Sequence, residues 1–433
     1  MNDVAMGIVG ILILMVLFLT GIELAFAMAL IGFLGYTYLV SFSAASNLLA
    51  KDFFETFTSY TFTVIPLFVL MGQIAYNSGT AKRLYEAAHK FVGHVPGGLA
   101  MTTVVGATLF KAMCGSTLAT AATFASLAVP EMQRYGYSRK LSTGIVASVG
   151  TLGVIFPPSI TLIIFGLIAE QSIGQLFLAG IIPGLMISFF FMCIIYGWVK
   201  IDPSIAPKAE RCSWKERARS MPDLLWVGAI FIIVMGGLMK GLFTPTEAGT
   251  IGTVAVLIIA FGKEHLPFRM FIKSIDESLR TGCMVLVLLA GSAVLGHFLA
   301  ITEIPIIAAE WTAGLSINRH LILICILLIY LLGGSFIDDI AFMILATPIF
   351  YPVTQKLGYD PIWFGIIIGI TVMIGAIIPP VAMCVFVVKN ITGEDFKVIY
   401  SGVYPFLLSL IACAIILFIF PQIATFLPGL FMK

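Results

Sequence analysis

The sequence predicts an all-α, polytopic membrane protein organised as an inverted repeat, and three observations carry that prediction. Of 433 residues, 60% are hydrophobic and only 11% charged, with a mean hydropathy of +1.07, whereas soluble domains run near roughly 45–50% apolar and about 25% charged. Apolar stretches of about twenty residues recur along the whole chain, the length a helix needs to cross a hydrocarbon core about 30 Å thick. Glycines and prolines also recur at a constant offset of 222 positions. A soluble enzyme is thereby excluded. Ten-residue alternating strands are missing, so a closed outer-membrane barrel is not supported.

Apolar segments fall at 4–20, 22–40, 62–78, 142–168, 176–198, 223–240, 247–262, 281–301, 363–388 and 399–420. Two more, 97–130 and 320–350, are interrupted near their centres by Gly115-Ser116 and Gly334-Ser335 and read as broken hairpins. The expected organisation is scaffold helices over 1–78, a first repeat over 79–200, linking helices over 201–280 and a second repeat over 281–433. Within the linker, 201–222 and 263–280 place Trp214, Phe268 and Phe271 among basic residues and read as amphipathic helices on the cytoplasmic interface. Glu23 divides the first two helices, and His297 reads as a hydrogen-bonded packing residue. The first apolar run follows Asn2 and Asp3 without a downstream cleavage site and is expected to be retained.

Charge and cysteine narrow the classes further. The net charge of +2 leaves no basic surface of nucleic-acid size. Seven cysteines form no Cys-x-x-Cys pair, and all but Cys212 (Cys114, Cys193, Cys283, Cys325, Cys384 and Cys413) sit in apolar segments, where small buried hydrophobes are expected. No G-x-x-x-x-G-K-[ST] loop or H-E-x-x-H is present. Asp338 and Asp339 are adjacent on one segment and cannot face each other across a peptide bond, so a protease dyad is excluded.

Basic residues orient the halves, because they favour the cytoplasmic side. Lys82, Arg83 and Lys90 precede the first broken segment, and Arg134, Arg139 and Lys140 follow it. Both ends therefore belong in the cytoplasm, and the segment is re-entrant with its tip near mid-membrane. Lys200, Lys208, Arg211, Lys215, Arg217 and Arg219 return the chain to the same side. Around 320–350 only Arg319 and Lys356 appear, whereas Lys389 and Lys397 follow later, so the second hairpin opens outward.

At the offset of 222, Gly136-Tyr137 aligns with Gly358-Tyr359, Gly153 with Gly375, Pro157-Pro158 with Pro379-Pro380, Gly180 with Gly402 and Pro183 with Pro405. A three-residue adjustment brings Gly115-Ser116 onto Gly334-Ser335. Opposite charge bias on a duplicated unit is the pattern of secondary transporters, whose sites lie at the repeat interface near the midplane.

The broken segments carry the chemistry. Prolines 157, 158, 379 and 380 cannot donate backbone hydrogen bonds, so the helix unwinds at 148–158 and again at 371–380 and frees carbonyls. Ser148, Gly150, Thr151 and Gly153 could then offer oxygens to Na+ opposite Gly115, Ser116 and Thr117. The helix beginning after that tip points its positive end at the centre, favouring an anion. Lys111, about 21 Å along a helix from Gly97, is too deep to snorkel; it is expected to meet an anionic substrate or to pair with Asp338 or Asp339.

The runs V-P-G-G-L-A, C-G-S-T-L-A-T-A-A-T, V-P-E-M-Q-R-Y-G-Y, S-V-G-T-L-G-V-I-F-P-P-S, E-Q-S-I-G-Q-L-F-L-A-G-I-I-P-G-L and T-P-T-E-A-G resemble the large permease subunit of tripartite ATP-independent periplasmic (TRAP) transporters. The resemblance implies an elevator-type carrier with transport and scaffold domains in the bacterial inner membrane. It also implies a small four-helix membrane subunit, a periplasmic substrate-binding protein, an organic-acid substrate and sodium drive. By motif, it implies sodium ligation around Ser116, Thr117 and 148–153, and a second site from Gly334, Ser335, Thr371 and Gly375. Thr371 and Met373 stand where relatives carry Asn and Glu, and Ile378 and Ala382 where they carry Thr and Gly. Lys111 and Asp339 occupy places where a small residue and a proline are expected. A stand-alone ion-driven anion carrier or antiporter of the same fold is the alternative.

Overall fold

A computed structural model describes residues 3–207, 213–314 and 317–432. Asn2, Lys208, Arg211 and Cys212 lie outside the described residues. The chain opens with Asp3–Leu19 (α1), Leu24–Leu39 (α2), Phe42–Thr58 (α3), Val64–Asn77 (α4) and Thr80–Val92 (α5). The first hairpin is Gly98–Lys111 (α6) and Thr117–Arg134 (α7), followed by Arg139–Gly150 (α8), Ile160–Ile168 (α9) and Ile173–Ile201 (α10). Trp214–Met239 (α11), Pro245–Gly262 (α12), Phe268–Ile301 (α13) and Ile304–Gly314 (α14) link the halves. The second hairpin is Arg319–Phe336 (α15) and Asp339–Lys356 (α16), followed by Pro361–Gly375 (α17), Met383–Thr392 (α18), Phe396–Ile419 (α19) and Gln422–Phe431 (α20).

Six of these helices (α10, α11, α12, α13, α15 and α19) are individually long and apolar enough to cross a membrane, and α3 with residues 61–77 forms a further span bent by 57°. The sequence reading missed α3 and α5 because neither is uniformly apolar. Ser41 caps α3 by accepting from the Ala44 amide at 3.2 Å, and α5 buries Ala81, Leu84, Tyr85 and Ala88 along one face. Their signal is helical period rather than hydropathy. Glu23 sits at the N-cap of α2 and separates α1 from α2, as expected.

The linking region departs from its reading. Residues 268–280 are the first turns of the 34-residue α13, and 214–222 begin α11. Neither is a separate interfacial helix. No Gly or Pro interrupts 268–281, and Asn77 of α4 donates to Ser274 at 3.0 Å and to Glu277 at 3.1 Å, fastening this polar stretch to the scaffold. The α13 rod, about 51 Å long at 1.5 Å per residue, packs on α2 and α4. Small residues permit the closeness: a Cβ on Gly32 would lie 2.7 Å from the Val294 carbonyl, and one on Gly291 would lie 2.4 Å from the Ala25 carbonyl. His297 reaches across from α13, its Nε2 3.4 Å from the buried Asp52 carboxylate of α3. Three of the cysteines expected inside, Cys193, Cys283 and Cys325, are instead on outer faces, while Cys114, Cys384 and Cys413 are buried.

Both hairpins fold back on themselves. In the first, Phe110 and Phe124 meet with ring centroids 6.1 Å apart. In the second, Tyr330 packs on Phe342 at 5.5 Å and its hydroxyl lies 3.4 Å from that of Thr347. The turn of the second differs from the reading: Gly334-Ser335 close the last turn of α15, and the chain reverses at Ile337-Asp338. The N-caps of the returning helices are Ser116 and Asp338, so α7 and α16 coincide at an offset of 222 with no adjustment. The Gly-Ser identity was a misleading anchor because a cap is defined by hydrogen bonding, here to Ala119 and Ile340 amides.

The two repeats grip each other reciprocally. α7 packs on α18 and α16 on α9; α8 packs on α19 and α17 on α10. At one end Gln133 donates to Glu394 at 3.3 Å, and at the other the equivalent end of α16 meets the 169–172 loop, where Gln171 donates to Tyr351 at 2.9 Å. Corresponding contacts with partners exchanged are the mark of a two-fold relation.

Candidate functional site

The site forms where the first hairpin tip, the break between α8 and α9, and the start of α16 converge. Prolines 157 and 158 follow a short 3-10 turn over Thr151–Val154, and Ser159 restarts the helix by accepting from the Leu162 amide at 3.2 Å while donating to the Val154 carbonyl at 2.6 Å. Gly115 is pressed against this break, since a Cβ there would sit 2.6 Å from the Pro158 carbonyl. Tip and break are thus in backbone contact.

At the centre, Thr117 donates to Asp339 Oδ2 at 2.9 Å, and Thr161 donates to the same oxygen at 3.2 Å. Thr117 and Asp339 are equivalent positions of the two repeats, 222 residues apart, so the pseudo-two-fold axis passes close to this bond. Residues related by a two-fold can touch only near its axis. Asp339 and Thr161 are both buried, 7% and 1% exposed, so their hydrogen bonds are not shared with bulk solvent. Thr161 escaped the sequence reading: it lies past the proline break and carries no motif of its own.

Lys111 does not pair with either aspartate. It is fully buried at 0% exposure, and its ammonium donates to the Ser116 carbonyl at 2.8 Å. Among the described residues no carboxylate lies within 4.0 Å of it. Gly153 flanks the ammonium: a Cβ on this glycine would fall 2.1 Å from Lys111 Nζ and 3.0 Å from the Thr117 amide. Asp338 accepts from the Ile340 amide at 3.2 Å as the cap of α16.

The expected cation ligands are largely engaged with their own backbone. Thr151 donates to the Ser148 carbonyl at 2.7 Å, and Ser148 donates to Gly144 at 2.8 Å. Gly150 packs on Ala121, where a Cβ would come within 2.8 Å. In the second repeat, the Ser335 carbonyl accepts from the Val381 and Ala382 amides, each at 3.2 Å, and Thr371 donates to Ile367 at 2.8 Å. Gly375 abuts the end of α15, a Cβ there falling 2.7 Å from Gly334 and 2.9 Å from the Leu331 carbonyl. Gly334, Ser335 and Gly375 are therefore brought together as expected, with Pro379 and Pro380 forming the break beside them.

Ala382 has φ of +54°, a left-handed conformation that costs an L-residue roughly 1–2 kcal/mol. This is the position at which the family resemblance implies glycine. Ala382→Gly is expected to stabilise the protein by up to about 1 kcal/mol, less the entropy glycine adds to the unfolded chain; a thermal-unfolding midpoint at or below that of the parent would contradict the reading.

Between the first tip and the scaffold, a small pocket of about 40 Å³, partly open to the outside, is lined by Phe68, Gln73, Gly115, Ser116, Ile160 and Thr281 among others. Ser116, the N-cap of α7, presents the positive end of that helix here. Lys111 lies behind the tip and does not line it.

Paired broken hairpins across a pseudo-two-fold, with a pocket against α4 and α13, define the architecture of a secondary transporter. The chain belongs to the family described as Tripartite ATP-independent periplasmic transporter, DctM component, which matches residues 11–423. It is similar to the C4-dicarboxylate TRAP transporter large permease protein DctM of Pseudomonas aeruginosa, 34% identical, covering 88% of this chain and 89% of that one. The sialic acid TRAP transporter large permease protein SiaM of Vibrio cholerae is 31% identical, covering 90% and 91%. In fold it is similar to the crystal structure of the Alcanivorax borkumensis YdaH transporter, with a TM-score of 0.64 and 14% identity over 88% of this chain and 89% of that one. The resemblance read from the motifs holds over nearly the whole length.

Proposed function

We propose that this permease imports a small organic anion across the bacterial inner membrane by sodium-coupled, elevator-type movement, receiving its cargo from a periplasmic binding protein and working with a small membrane subunit. The observation that carries the reading is the pocket at Ser116, set between a broken hairpin and the scaffold helices α4 and α13. A helix N-terminus whose capping hydroxyl, Ser116, still has its proton to donate suits a carboxylate. Relatives named for C4-dicarboxylate, sialic acid and 2,3-diketo-L-gulonate all handle organic acids. The reciprocal hairpins supply a compact unit that can slide as one body against α4 and α13.

The test is uptake in proteoliposomes containing permease and small subunit. Expected is accumulation of a labelled organic acid only with an inward sodium gradient, falling at least about tenfold (about 1.4 kcal/mol) when the binding protein is omitted. Equal uptake by this chain alone would favour a stand-alone carrier. Uptake indifferent to sodium would remove the coupling.

A further inference from the structure

We propose that the Lys111 ammonium is a tethered cation that fills the first-repeat site between hairpin tip and broken helix, leaving the sodium requirement to the second repeat. This rests on the sodium-coupled reading above. The ammonium lies between the first tip and the broken helix: it donates to the carbonyl of Ser116, one of the residues expected to hold sodium, at 2.8 Å and flanks Gly153 in the break, whose missing side chain makes the room. It is seated at the carboxyl end of α6, of which it is the last residue, and beside the carboxyl end of α8. Both ends carry partial negative charge. With no carboxylate within 4.0 Å among the described residues, the charge is met by a carbonyl oxygen and two carboxyl-terminal helix ends set against the positive end of α7 at Ser116, oxygen donors of the kind an alkali cation uses and not the carboxylate of a buried ion pair.

The second repeat has no counterpart. The residue 222 positions after Lys111 is Gly333, and the atoms nearest a Cβ added to Gly375, the equivalent of Gly153, are backbone atoms of Gly334, Leu331 and Ser335. On this reading a side chain supplies the cation in the first repeat, and the sodium requirement falls to the second.

The assembled transporter would be compared as wild type, Lys111→Ala and Lys111→Met, measuring 22Na+ binding and the sodium dependence of uptake. Wild type is expected to show a Hill coefficient near about 1. Lys111→Ala opens the site, so uptake falls at least about tenfold at low sodium, recovers at high sodium, and the Hill coefficient rises toward about 2. Lys111→Met fills the space without charge and is not rescued by sodium. A wild-type coefficient near about 2, or identical sodium dependence in wild type and Lys111→Ala, overturns the proposal. If neither variant folds, the wild-type ratio of bound sodium to permease decides alone: about one supports it and about two overturns it. Sodium-independent uptake by wild type with new sodium binding in Lys111→Ala would sink the coupling and keep the Lys111 assignment, whereas no sodium bound by any of them sinks both.

Discussion

Asp339→Ala is expected to reduce uptake by at least tenfold, roughly 1.4 kcal/mol or more, while Asp339→Asn retains most of it. The carboxylate is the shared acceptor for Thr117 of the first hairpin and Thr161 of the first broken helix. Alanine leaves two buried hydroxyls without a partner, each costing about 1–3 kcal/mol, at the point where the repeats touch on their axis. Asparagine keeps one acceptor oxygen in the same place. A double-mutant cycle with Thr117→Val isolates the contact: the two substitutions should be non-additive by about 1 kcal/mol. Additive effects on thermal stability, with full uptake in Asp339→Ala, would remove the bond from the core of the mechanism.

Gly144→Leu is expected to cost about 3 kcal/mol or more, at or beyond the upper end for overpacking. A Cβ at 144 would lie 2.2 Å from the carbonyl carbon of Gly402, and one at 402 only 1.9 Å from the Lys140 carbonyl oxygen. These are backbone atoms of α8 and α19 and cannot rotate away. The retreat of α8 is limited further because α6 and α7 also pack on it. The control is Gly228→Leu in α11, where an added Cβ meets nothing within 4 Å and helix propensity improves by up to about 1 kcal/mol. Thermal unfolding of the purified assembly should show a large drop for the first and none for the second; equal midpoints would mean the α8–α19 contact is looser than described.

Much of this architecture was legible because its causes are local. Proline removes a backbone donor wherever it falls, so the breaks before Pro158 and Pro380 needed no tertiary information. The offset of 222 likewise named Gly153 and Gly375 as equivalents. The amphipathic α3 and α5 were lost to a reading tuned to uniform apolarity, and the 34-residue α13 was cut in two at its polar stretch, although a helix ends where its hydrogen bonding ends and not where its hydropathy changes.

By itself the sequence determined the class of fold, the inverted duplication and where the broken segments lie, since span length, helix breaking and repeat register are properties of short stretches of chain. Only the tertiary structure decided that the second hairpin turns at Asp338, that Thr161 joins Asp339, and that Lys111 answers to the Ser116 carbonyl and not to a carboxylate. Those outcomes depend on which groups come within hydrogen-bond reach once segments far apart in sequence have packed. A buried polar group takes the acceptor that closure leaves beside it, and no local pattern specifies that neighbour.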